Sequence, residues 1–246
     1  MTDLSIPPAL LRALAVIALV GAASATAMAY EPPLPPPRPQ EVAPPAKPAE
    51  APPAPEAPKA EATSTCLVQL IADGATAEAA TAPPASAQGC GISAPVRLSS
   101  ITAAGEAVSL PDRPLIACEF AAVLADYVRL IVAPLGQAML HARITAIDTG
   151  PGYDCRSQDR TAGAKISAHA KGLAVDFIAV AIADKRRILV ERQTGPEETA
   201  YFRAMRTAAC GWFTTVLGPG SDAFHANNLH LDIEPHGSSG SYRICQ

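Results

Sequence analysis

Leu229-His230-Leu231-Asp232-Ile233 alternates strictly between aliphatic and polar residues. In an extended strand that pattern puts His230 and Asp232 on one face and the aliphatics on the other. A second apolar run, Leu173-Ala174-Val175-Asp176-Phe177-Ile178, carries a single carboxylate. A carboxylate on a buried strand needs a hydrogen-bonded partner or a metal. Seven positions upstream of it, Ser167-Ala168-His169-Ala170-Lys171-Gly172 supplies another histidine. His169, Asp176 and His230 together make a nitrogen/oxygen ligand set with a fourth position open for water, the arrangement of a catalytic zinc. The same residues also suit a structural carboxylate–histidine hydrogen bond, and the spacing from His169 to Asp176 does not by itself choose. His141 and His236 have no such pattern around them and are expected at the surface. Trp212 and Phe213, beside Cys210, are expected in the core rather than on a substrate platform.

These side chains need elements to hold them. Ile116, Phe120, Val123, Leu124, Tyr127 and Ile131 recur at helical spacing and predict an amphipathic helix closed by Pro134 and Gly136. A second helix is predicted from Pro196 to Ala209, where Glu197 and Glu198 suit the positive N-terminal end. Short apolar stretches with turn signals predict strands at Ala142–Ile147, Leu173–Ala183, Arg187–Glu191, Phe213–Leu217 and Leu229–Ile233. Asp184-Lys185 is a tight connection, hence a hairpin. Helices first and strands clustered later predict an α+β fold, a small antiparallel sheet with flanking helices.

The chain has three compositional zones. Residues 1–30 hold an apolar run from Leu14 to Ala29 that follows Arg12 and ends in Ala27-Met28-Ala29, a small-x-small cleavage pattern. The run is shorter than the roughly 20 residues a spanning helix needs. This zone reads as a signal peptide, with an uncleaved N-terminal anchor in the inner membrane as the alternative. Residues 31–62 contain 13 of the 25 prolines and read as an extended polyproline linker, serving as a stalk or as a plain spacer. Residues 63–246 carry 15 Lys+Arg against 17 Asp+Glu, which leaves no basic footprint for nucleic acid. Cys66, Cys90, Cys118, Cys155, Cys210 and Cys245 all lie in this last zone without Cys-x-x-Cys pairs. They read as disulfides formed in an oxidising compartment, the periplasm or cell envelope. Pairing of neighbours (66 with 90, 118 with 155, 210 with 245) is the expectation.

Ser167-x-His169-x-x-Gly172-x-Ala174-x-Asp176 resembles the S-x-H-x-x-G-x-A-x-D signature of zinc D-Ala-D-Ala carboxypeptidases, in the lysostaphin, D-Ala-D-Ala peptidase and sonic hedgehog group. Gly152-Tyr153-Asp154-Cys155-Arg156-Ser157 looks like that group's G-Y-R-S element with two residues inserted before the arginine. The domain as a whole resembles the bacterial extensin-like C-terminal family. The segments that carry the likeness are Tyr153–Arg156, Ser167–Asp176, Phe213–Asp222, His230-Leu231-Asp232 and the terminal Tyr242–Gln246. The resemblance implies a carboxypeptidase/hedgehog-like fold, with His169, Asp176 and His230 as zinc ligands. It also implies Arg156 near a substrate carbonyl or carboxylate, where a bidentate cation stabilises negative charge. Ser167 and Asp232 would orient ligands from behind.

The departures matter as much. Such peptidases need a general base two or three positions before the last ligand, and here those positions are Asn228 and Asn227. Neither amide accepts a proton at neutral pH. His225, five positions before His230, is the candidate substitute base. Ala168 stands where relatives often carry glutamate. Two functions of different class follow. One is a zinc peptidase or amidase acting on peptide cross-links of peptidoglycan. The other is a non-catalytic module that keeps the fold and binds wall peptides or an envelope protein.

Overall fold

The computed structural model describes residues 57–246. The leader, and the proline-rich tract before Ala57, lie outside the described residues. The first helix, α1 (Ala57–Ala72), begins within the tract read as extended spacer, so residues 57–62 are helical instead. Only Pro58 remains in that stretch, and it falls in the first helical turn, where no backbone donor is needed.

Four strands follow: β1 (Ala75–Ala79), β2 (Pro95–Ala103), β3 (Glu106–Ser109) and β4 (Leu115–Ala117). After them come α2 (Cys118–Tyr127), a π-helical turn (Val128–Val132), α3 (Ala133–Met139) and β5 (Ile144–Thr149). A 3₁₀ turn (Ala168–Lys171) leads into β6 (Ala174–Ile182) and β7 (Arg187–Leu189). The remaining elements are α4 (Pro196–Ala209), β8 (Thr215–Leu217), β9 (Leu229–Asp232) and β10 (Ile244–Cys245).

All ten strands join one sheet of order β1-β2-β3-β5-β6-β9-β8-β10, with β4 added to β2 and β7 to β6. The result is a mixed α/β domain, with few helices and three disulfides. The sheet is larger than expected and not purely antiparallel, because β3 runs parallel to β5 and β8 parallel to β10.

The helix at 116–131 differs from its prediction at both ends. Leu115–Ala117 pairs with β2, so the helix starts at Cys118. It also runs past Pro134 and Gly136 to Met139. A proline inside a helix costs about 3 kcal/mol. Here the turn before it widens, with the Ala133 N–H reaching back to Val128 O, and Pro134 lands in the first turn of α3. Gly136 serves packing instead of termination: a Cβ there would lie 2.6 Å from Ile144 Cδ1.

Cys210–Cys245 forms as expected. The other two bonds are Cys66–Cys118 and Cys90–Cys155, which corrects the neighbour pairing. The reason is spatial: α1 lies against α2, while the loop before β2 lies over the Cys155 loop and bonds through the Gly91 N–H to Ala170 O. Val175, Phe177, Leu229 and Leu231 enter the core beside Phe120, Tyr127, Tyr201, Met205 and Phe213. Tyr127 meets Phe213 edge-on at 5.1 Å, a pairing worth about 0.5–1.5 kcal/mol beyond its buried area. Trp212 also packs on this core.

Candidate metal centre

β6 and β9 pair antiparallel with Val175 opposite Leu231 and Asp176 opposite His230. Their aliphatics therefore fill the core, and Asp176 and His230 stand side by side on the other face. The 3₁₀ turn delivers His169 to the same point. Ser167 caps that turn, its Oγ accepting from the His169 backbone N–H at 3.3 Å. Gly172 closes it at φ 68°, where a Cβ would sit 2.4 Å from Ile92 Cδ1 and 2.9 Å from Ala117 N.

Hydrogen bonds behind the histidines decide which nitrogens face inward. His169 Nδ1 lies 2.8 Å from Gly152 O, an acceptor, so Nδ1 carries the proton and Nε2 is left with its lone pair. His230 Nε2 lies 3.0 Å from Asp232 Oδ2, which turns Nδ1 toward the other two residues. Asp232 is itself held, by Thr214 Oγ1 at 3.1 Å and the Glu234 N–H at 2.9 Å.

The inward atoms converge. His169 Nε2 is 3.2 Å from His230 Nδ1 and 3.3 Å from Asp176 Oδ2, and His230 Nδ1 is 3.0 Å from Asp176 Oδ1. Tetrahedral zinc with bonds of roughly 2.0–2.1 Å sets its ligands about 3.3 Å apart, so the donor set and its spacing fit that ion. Burial opposes the charge on Asp176, but the hydrogen bonds and charges of His169 and His230 outweigh it and hold the carboxyl far below its ordinary range. Burial alone would lower the His230 pKa; the hydrogen bonds and charges of Asp176 and Asp232 push it up to about 9.

Asp176 and His230 line a pocket of about 350 Å³, joined by Arg156, Asp222, Phe224, His225, Asn228 and Glu234, and His169 reaches both from beside it. Arg156 Nε donates to Asp154 Oδ2 at 3.0 Å, which fixes the guanidinium at the rim. His225 packs against His230 at 5.4 Å between ring centroids, and its Nδ1 is 2.8 Å from Asp222 Oδ1 and Oδ2. Partial burial opposes the charge of Asp222, and the ring and backbone hydrogen bonds of His225 overcome it and hold that carboxyl below its ordinary value. Asn228 Nδ2 donates to Phe224 O at 3.2 Å and Asn227 Oδ1 at 3.0 Å.

Arg156, Ser167, His169, Asp176, His225, His230 and Asp232 thus meet at one site. Two that were not singled out also belong to it. Asp222 sits in an aperiodic loop, where it ends the family-like Phe213–Asp222 segment three positions before His225 without being marked as a site residue. Glu234 accepts from Lys171 Nζ at 2.6 Å. His236 departs from expectation, lining the pocket with Nε2 2.6 Å from Thr215 Oγ1, while His141 is exposed as expected.

Residues 64–246 match the family described as extensin-like protein C-terminus. The chain belongs to that family. No curated protein and no solved structure matches this extensin-like chain. Among its described residues, no helix is long and apolar enough to cross a membrane.

Proposed function

We propose that this extensin-like domain is a zinc-dependent peptidase of the cell envelope that hydrolyses peptide bonds in peptidoglycan cross-links. The fold would be that of the zinc D-Ala-D-Ala carboxypeptidase and hedgehog group, a relation supported by the run from Ser167 to Asp176. The export-type leader and the disulfides support a periplasmic or envelope location, with the N-terminal zone as signal peptide or inner-membrane anchor.

The observation that carries the reading is the direction of the lone pairs. Gly152 O and Asp232 occupy the outer nitrogens of His169 and His230, so the inner nitrogens and Asp176 are all aimed at one point in the pocket. Zinc held there supplies Lewis acidity and lowers the pKa of a water to about 7. The chain's own groups do the rest. His225 accepts a proton at Nε2 as water oxygen bonds to the scissile carbonyl carbon, and returns it to the amine nitrogen as the C–N bond breaks. Arg156 faces the oxygen on which negative charge develops.

Muropeptide analysis tests this. Purified sacculi incubated with oxidised protein and zinc should yield new fragments, and His169→Ala should yield none. An unchanged profile from folded, zinc-loaded protein overturns the reading and leaves a wall-peptide binding module.

A further inference from the structure

We infer that Asp222 is the positioning residue of the general base, forming an Asp222–His225 dyad that holds His225 with Nδ1 protonated and Nε2 open. The inference rests on the peptidase reading and names a residue it does not need for metal binding.

Three observations support it. Asp222 is locked from below: its Oδ1 accepts the Phe224 N–H at 2.8 Å and the His225 N–H at 3.1 Å. Both of its oxygens lie 2.8 Å from His225 Nδ1, and a carboxylate accepts only, so the ring proton must reside on Nδ1. The opposite nitrogen, Nε2, has no protein partner among the described residues, while the ring lines the pocket and abuts His230. The loop therefore supplies a proton acceptor where the sequence has asparagines at 227 and 228. The logic is that of any imidazole base whose back nitrogen is pinned by a carboxylate.

Asp222→Asn separates positioning from bracing. The amide oxygen can keep the two backbone N–H bonds, which turns the amide NH₂ toward Nδ1 and moves the imidazole proton to Nε2. The full chain, loaded with zinc and labelled with ¹⁵N-histidine, reports this directly through long-range ¹H–¹⁵N correlations. The five histidines allow His225 to be assigned by its loss in His225→Gln. Wild type is expected as the Nδ1–H tautomer and Asp222→Asn as the Nε2–H tautomer. On sacculi, kcat should fall about 10²–10⁴-fold with KM changed far less, the range of lost base assistance. Zinc affinity and melting temperature should stay near wild type.

One tautomer in both proteins overturns the inference. So does a rate loss matched by an equal loss of zinc binding or thermal stability, which marks a bracing role. If wild type leaves sacculi untouched, the peptidase reading fails, and the tautomer comparison alone decides the dyad. If His169→Ala abolishes cleavage while His225→Gln keeps the full rate, the peptidase stands and the dyad falls.

Discussion

On the proposed function, a proton and the zinc ion would compete for Nδ1 of His230. In the metal-free protein, Asp176 and Asp232 raise the His230 pKa to about 9, so at neutral pH zinc must expel a proton to bind. Zinc affinity should therefore weaken about tenfold for each pH unit below about 9 and level off above it. Calorimetry in buffers of different ionisation enthalpy should find close to one proton released per zinc at pH 7. Asp232 also holds the outer nitrogen of the same ring. Asp232→Ala should weaken zinc binding about 10–100-fold in competition against a chelator, the usual effect of losing a hydrogen bond behind a ligand.

At the scale of elements, the turn carrying His169 is the sensitive joint. Gly172→Ala meets both a left-handed φ and contact with Ile92 and the Ala117 backbone. It should cost at least about 1–3 kcal/mol, seen as a lower urea midpoint at unchanged slope. The Cys90–Cys155 bond ties down the loop that presents Gly152 O and Arg156. Replacing both cysteines with serine should lower stability by roughly 2–5 kcal/mol and weaken zinc binding in the same chelator competition. These elements were unequally legible in the sequence. The helix from Pro196 to Ala209 and β9 read plainly from their periods, and β6 reads as a continuous apolar run broken by Asp176. β2 does not, since its buried face changes phase between Leu98 and Ile101. Its hairpin to β3 turns on Ala104-Gly105, both at positive φ, where Asn-Gly would have been an obvious signal. The His169, Asp176 and His230 cluster was legible by residue type. Asp222 and the disulfide partners were not, because loops bring them together without any repeat.

Across the whole molecule, the proposed zinc ligands come from separate parts of the chain, so zinc binding would be coupled to folding. Zinc at a thousandfold excess over its Kd should stabilise by about 4 kcal/mol, or roughly 8–16 °C in Tm for a domain of this size. Scanning calorimetry with zinc and then with chelator reads the difference, and His169→Ala should show none. The Cys66–Cys118 bond has a mechanical consequence. A pull on the chain from its N-terminal side enters through α1 and crosses this covalent bridge straight to the start of α2. A second branch leaves the same loop at Cys90 and crosses to Cys155, so β1 stays in the load path while β2, β3 and β4 lie outside the shortest covalent route. In an optical trap pulling from α1 to the C-terminal end, the oxidised domain should hide roughly 330–360 Å of contour that the reduced domain pays out, because the shortest covalent route skips the 65 residues spanned by Cys90–Cys155 and the 35 spanned by Cys210–Cys245.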